Sequence, residues 1–208
     1  NGLYINLEHR LDRRKNIEEL KYKHSFFSNI KRMNAISNKR GDIGCSLSHI
    51  TCLNELLKEN DDYYMLIEDD LLILDDDNFK EFTKTFENIK NNDTWDLITL
   101  TPRGKTIKHN YIDGFNKIVD NQTTTGYIVK HRFIEELVKY YQTGVEGLMR
   151  NQDTNKYALD QCWKPLQEKS NFIYFNKIYA GQLEGYSDIE QKNINYNHKR
   201  YLMFNSLY

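Results

Sequence analysis

The chain has 208 residues, with 29 basic side chains against 30 acidic ones, and a mean hydropathy of −0.77. This length favours one domain with a substantial core, and the longest apolar runs, residues 63–67 and 71–74, fall far short of the roughly 20 residues of a membrane-spanning helix. The near-neutral balance supplies no global field to draw the chain onto nucleic acid or an anionic membrane. Cys45 and Cys52, two of three cysteines, are seven residues apart in a helical pattern, about 10 Å along the axis, so no disulfide framework is implied. A chain that opens at Asn1, one residue before an apolar strand pattern, reads as a single domain over 1–208 excised from a longer protein, and its compartment stays unassigned.

In chain order, residues 3–7 predict a short buried strand and residues 12–22 a charged helix. Ile43, Leu47, Ile50, Leu53, Leu56 and Leu57 recur at three- and four-residue spacing, which predicts a helix ending near Asn60. Residues 63–67 and 95–100 read as buried strands that stop at polar loops. A polar stretch follows, then a strand over 124–129, a helix over 132–141, and short strands over 172–175 and 178–180. Strands alternating with helices predict an α/β fold whose central sheet is mostly parallel, with a mixed edge.

Charge is uneven. Residues 8–40 carry a basic block including Arg10, Arg13, Arg14, Arg32 and Arg40, whereas residues 61–77 carry acids and no basic residue. Within the acidic run, Glu68-Asp69-Asp70 directly follows an apolar strand, where ligand sites of open α/β sheets lie. In extended backbone Glu68 and Asp70 face the same way and can converge on one hard cation, Mn²⁺ or Mg²⁺, while Asp69 points elsewhere or bonds nearby backbone. Such an ion keeps positions open for diphosphate oxygens. Asp75-Asp76-Asp77 reads as a helix start capped by Asp77 or Asn78. Asn6, Arg10 and Arg13, at the exit of the first strand, suit a nucleotide's base and phosphates. His49, next to the apolar face of its helix, reads as a hydrogen-bonded core or rim histidine.

Three ordered blocks resemble one family: Tyr4-Ile5-Asn6-Leu7 with Arg10 and Asp12-Arg13-Arg14; Gly41-Asp42-Ile43-Gly44-Cys45-Ser46-Leu47-Ser48-His49; and Ile67-Glu68-Asp69-Asp70. Shorter echoes are Thr125-Gly126-Tyr127, Leu159-Asp160 and Gly185-Tyr186-Ser187-Asp188-Ile189-Glu190. The chain is similar to glycosyltransferase family 25, which includes lipooligosaccharide sugar transferases and procollagen galactosyltransferases. The resemblance implies a Rossmann-like domain of GT-A type and an inverting transfer of galactose or glucose from a uridine diphosphate (UDP) sugar with Mn²⁺. The acceptor it implies is a hydroxyl of an oligosaccharide or of hydroxylysine in a collagen-like protein; the Gly-Tyr-Ser-Asp ending leans towards the latter. Glu68 and Asp70 then match the metal motif, joined by His198 as a third ligand. Asn6, Arg10, Arg13 and Asp69 match the nucleotide-sugar site, with Ala35 and Ile36 near the base and Thr125 and Gln182 at the sugar. Asp160 leads as general base, with Asp188 and Glu184 as rivals, and Trp163 or Tyr157 offers a ring to a sugar face. Two other classes compete: a sugar-nucleotide-binding or assembly domain without turnover, and an RNA binder using tyrosine stacking, which the charge balance disfavours. Asn92-Asp93-Thr94 and Asn121-Gln122-Thr123 fit the N-glycosylation pattern, but frequent Asn makes chance matches common.

Overall fold

The computed structural model describes residues 1–151, 153–187 and 192–195. The chain opens with β1 (Gly2–Asn6), α1 (Leu11–Lys23), β2 (Ile30–Asn34) and α2 (Gly41–Leu56). β3 (Tyr63–Glu68), β4 (Leu71–Ile73) and α3 (Asp76–Ile89) follow, then β5 (Leu97–Thr99), β6 (Lys105–Ile112), β7 (Phe115–Val119) and β8 (Gly126–Lys130). Helices α4 (Ile134–Met149), α5 (Thr154–Tyr157), α6 (Leu159–Cys162) and α7 (Lys164–Lys169) lead to β9 (Phe172–Phe175), β10 (Ala180–Gln182), β11 (Gly185–Ser187) and β12 (Lys192–Ile194).

The main sheet has eight strands in the order β2-β1-β3-β8-β5-β9-β7-β6. β2, β1, β3, β5, β9 and β6 share one direction, and β8 and β7 run against them. The pleat divides the core between the two faces. On β3, Tyr64 and Leu66 join the apolar cluster with α2 and α4, whereas Met65 and Ile67 join the aromatic cluster with α1 and α3. Burial on both sides explains why this strand is an unbroken apolar run.

From β1 the chain crosses to β2 on one side and returns through α2 to β3 on the other, both parallel to β1. That reversal opens a crevice at the carboxyl ends of β1 and β3, the usual ligand position in open α/β sheets. Beyond it, β4 leaves the main sheet and pairs antiparallel with β10, bringing Leu71 opposite Gln182.

Several boundaries differ from the sequence expectation. The cap of α3 is Asp75, whose carboxylate accepts from the Asp77 and Asn78 amides, so Asp77 and Asn78 lie inside the helix. The strand expected at 178–180 forms later as β10 and belongs to the small sheet. The helix expected to end at Tyr141 continues to Met149, because Val145 and Leu148 extend its buried stripe past the polar Gln142-Thr143 pair. The three cysteines are free. No described helix is long and apolar enough to cross a membrane.

Candidate active site

The acidic triplet sits where the sheet ends. Glu68 is the last residue of β3 and the chain turns at Asp69 and Asp70, so the backbone is not extended through the triplet. All three residues nevertheless line one cavity of about 290 Å³, together with Arg13, Ala35 and Ile36. Asp69, expected to point elsewhere or to bond nearby backbone, instead faces side chains at the same cavity: its carboxylate accepts from Asn6 Nδ2 at 2.7 Å and Arg13 Nη1 at 3.1 Å. Arg13 also lies 3.6 Å from Asp70 Oδ2. The basic block thus delivers one guanidinium to the acidic run. Burial still lifts the Asp69 carboxyl above its usual range, against the pull of Arg13 and Asn6.

Asn6 is buried and acts behind the cavity wall, its amide clamped between Asp69 and Arg32, whose Nε donates to Asn6 Oδ1 at 2.9 Å. Arg10 does not line the cavity but sits at its rim: it pairs with Asp12 at 2.8 Å and shares the Tyr186 carbonyl with Arg13, at 3.2 Å and 2.9 Å. The Arg10 hydrogen bond holds the Asp12 carboxyl down at about 2. Ala35 and Ile36 lie on the cavity wall because Ser48 of α2 ties them there, accepting from the Ile36 amide at 2.7 Å. At Gly44, one turn earlier, a Cβ would lie 2.6 Å from the Ile36 carbonyl oxygen, so this approach requires glycine.

His49 is fully buried, as expected, but its partner makes it more than a rim residue. Its Nε2 lies 3.2 Å from Glu68 Oε1 and its Nδ1 lies 3.1 Å from the Tyr127 hydroxyl. Thr124 Oγ1 donates to the same Glu68 oxygen at 2.9 Å. Burial would raise the Glu68 carboxyl, but His49, then Thr124 and Arg13, hold it below the usual carboxylate range. Cys45, one helical turn before His49, completes a group whose sulfur, ring nitrogen and carboxylate oxygen lie within 4.8 Å of one another.

The donor chemistry fits a hard divalent cation. Glu68, Asp69 and Asp70 bring three carboxyls to a cavity where Arg13 supplies the neighbouring guanidinium, and both His49 and Thr124 engage Oε1 of Glu68, leaving Oε2 for another partner. Carboxylate oxygens suit Mn²⁺ or Mg²⁺, whereas the thiol and imidazole of Cys45 and His49 form a softer set.

A second cavity of about 250 Å³ adjoins the first, sharing Cys45, Glu68 and Gln182 as a common wall. Thr125 and Asp160 line it with Arg103. Asp160 lies in the first turn of α6. Burial raises its carboxyl above the usual range, with Lys164 and Arg103 pulling the other way. Gln182 Nε2 approaches Asp70 Oδ2 at 3.4 Å from β10. Glu184 is exposed and bonded by Asn195 at 2.8 Å, lining neither cavity. Asp188 and His198 lie outside the described residues. Trp163 cannot offer a ring to a sugar: it is fully buried among Tyr127, Tyr141 and Phe172. Tyr157 packs over Gly147 and is absent from both cavity walls.

Four residues of this arrangement escape a reading by local pattern. Thr124 is one of three consecutive threonines that nothing local tells apart, and Arg103 sits alone in a polar loop. Cys45 and His49 carry one usable signal, an i, i+4 spacing that puts both on one helix face.

The family model for glycosyltransferase family 25 (LPS biosynthesis protein) matches residues 2–163. A search among curated proteins gives no match. Among solved structures, the chain is similar to a glycosyltransferase involved in the glycosylation of the major capsid of PBCV-1, at 11% identity and a TM-score of 0.45, covering 84% of this chain and 91% of that one. It is also similar to UDP-glucose pyrophosphorylase complexed with UDP-glucose, at 10% identity and 0.43, covering 86% and 73%. A third is mannose-1-phosphate geranyltransferase from Thermus thermophilus, at 8% identity and 0.42; the match covers 86% of this chain but 60% of that protein's length.

Proposed function

The chain belongs to glycosyltransferase family 25, and on that premise we propose that it is an inverting GT-A transferase moving a hexose from a UDP-sugar to a hydroxyl of an oligosaccharide. One observation carries the reading: two cavities share a wall at Glu68, with Arg13 and the acidic turn in one and Asp160 in the other. The first cavity takes the nucleotide sugar. The second takes the acceptor, in keeping with a family described by LPS biosynthesis.

In this reading Glu68 and Asp70 hold Mn²⁺ or Mg²⁺, which when bound neutralises charge growing on the leaving diphosphate. Arg13, steadied by Asp69, brings positive charge to the same end. Asn6 fixes Asp69 from behind, and Ala35 and Ile36 form the wall beside the base. Thr125 and Gln182 border the sugar between the cavities. Asp160 accepts the acceptor hydroxyl proton; the oxygen bonds to the anomeric carbon as the bond to the diphosphate breaks. Attack from the second cavity with departure into the first is an in-line displacement, which inverts the anomeric centre.

The test is a calorimetric titration of UDP into the protein with Mn²⁺ and then with a chelator, followed by transfer assays with UDP-galactose and UDP-glucose. Binding that needs Mn²⁺, with transfer to an oligosaccharide, is the expected result. Equal UDP binding with chelator removes the metal from the reading. UDP binding without transfer to any acceptor leaves a sugar-nucleotide-binding domain.

A further inference from the structure

The second cavity contains a cation that the transfer itself does not require. Arg103 lines it beside Asp160. Among the described residues its guanidinium makes no hydrogen bond and no ion pair, and its Nε is buried without a partner. The other arginines that reach into the fold are all satisfied: Arg13 by Asp69, Arg32 by Asn6, Arg40 by Asp42 and the Leu148 carbonyl, Arg132 by Asp96. Of the acids lining this cavity, Glu68 is engaged by His49 and Asp42 by Arg40, while Asp160, bonded by the Gln161 side chain, feels Arg103 through space without a direct ion pair.

The root of this side chain is nevertheless fixed with care. The Arg103 amide donates to Asn121 Oδ1 at 2.7 Å, and its carbonyl accepts from the Gln122 amide at 2.9 Å. Asn121 is itself fully buried, its amide bonded to Gln167 at 2.7 Å and its carbonyl to Trp163 at 2.8 Å. At the adjacent Gly104, a Cβ would meet the Val119 carbonyl oxygen at 2.6 Å, so the loop is pressed against this network. A buried polar scaffold therefore holds a guanidinium whose Nε–H finds neither open solvent nor a partner among the described residues. Leaving such a donor unsatisfied is costly, and a guanidinium is matched in charge and shape by a carboxylate or a phosphate.

We propose that Arg103 is an anion-binding subsite of the acceptor cavity, so that the acceptor carries a carboxylate or phosphate on the sugar presented to Asp160. This rests on the transferase reading, with the second cavity as the acceptor side. It disfavours a hydroxylysine acceptor, whose ammonium would meet a like charge beside the accepting hydroxyl.

The experiment titrates methyl glucuronide, glucose 6-phosphate and neutral methyl glucoside into the protein in the presence of Mn²⁺, with UDP titrated in parallel. An anionic probe should bind at least about tenfold more tightly than the neutral one, as expected for a charge-assisted pair. The two anionic arms distinguish carboxylate from phosphate. Arg103→Gln should erase the preference at unchanged UDP affinity and melting temperature, and Arg103→Lys should keep part of it, which guards against a folding defect in the first variant. Equal affinity for charged and neutral probes, no binding of either anion, or a preference that survives Arg103→Gln overturns the proposal. UDP binding without anion preference sinks the subsite alone; Arg103-dependent anion preference without UDP binding sinks the transferase reading alone.

Discussion

His49 Nε2 lies 3.2 Å from Glu68 Oε1, so a buried helix residue and a half-buried strand end nineteen positions apart hold each other in place. Tyr127 fixes the far side of the imidazole at 3.1 Å, which sets the ring plane. The carboxylate of the proposed metal motif is thus aimed from α2, the helix that also anchors the wall around Ile36.

His49→Ala should therefore weaken Mn²⁺-dependent UDP binding by about tenfold, the loss expected when a supporting hydrogen bond behind a metal ligand is removed. His49→Gln, which restores a donor, should recover part of it. Calorimetry with and without Mn²⁺ checks both; an affinity unchanged in His49→Ala would mean that Glu68 needs no support.

Glu68→Gln combined with Asp70→Asn should abolish metal-dependent nucleotide binding while the far-ultraviolet circular dichroism stays native. These are near-isosteric changes, so the hydrogen bonds from His49 and Thr124 keep an oxygen to meet. Retained binding would remove the acidic turn from the metal site.

Asp160→Asn should lower transfer by about 10² to 10⁴ with UDP affinity unchanged. In the parent protein, transfer should fall as pH drops through the raised Asp160 value, because the base becomes protonated. The same burial sets a stability effect of opposite benefit. The folded protein holds this proton more tightly than the unfolded chain, so the contribution is complete below the unfolded value near 3.8 and is lost as pH rises through the folded one. At pH 7 the ionised carboxylate weighs against folding, and Asp160→Asn should raise the melting temperature, by about 2–4 °C for each kcal/mol relieved. Near pH 3 the gain should vanish. Thermal melts at both pH values decide it.

Gly44→Ala should destabilise the fold by about 1–3 kcal/mol, because its Cβ would press on the Ile36 carbonyl oxygen, which belongs to backbone and cannot swing aside. The damage should appear in UDP affinity as well, since Ile36 lines the first cavity. Gly147→Ala is the contrast: its Cβ would press on Tyr157 Cδ1 and Cγ, the root of a ring that lines neither cavity, so it should cost stability without touching UDP affinity. Denaturant midpoints and UDP titrations of the pair should separate the two cases.

The legible parts of this fold are those where burial writes a pattern. β3, buried on both faces, is an unbroken apolar run, and α2 repeats its apolar residues at helical spacing, so both stand out in the sequence. The β6–β7 hairpin and β2 do not, because β6 and β2 are edge strands with mostly uncovered residues and no apolar stripe. At the site, the placement of Glu68 and Asp70 is legible because carboxylates that directly follow a buried apolar strand fall at the end of the sheet, where the first cavity opens. Asp69, expected to point away, instead meets Arg13 and Asn6, because the chain turns immediately after Glu68 and rotates the next two side chains off the pleat. Arg103 and Thr124 leave no trace, since what matters about each is a neighbour brought in by the sheet order.

Cys45, Glu68 and Gln182 face both cavities, so under the proposed function donor and acceptor would meet across one wall. A ligand on either side that redirects the Glu68 carboxylate alters what Thr124 meets from the other side. By linkage, whatever factor the donor adds to acceptor affinity, the acceptor returns to the donor in full. Each substrate would then be the other's effector, a cooperativity built from one shared side chain within a single chain.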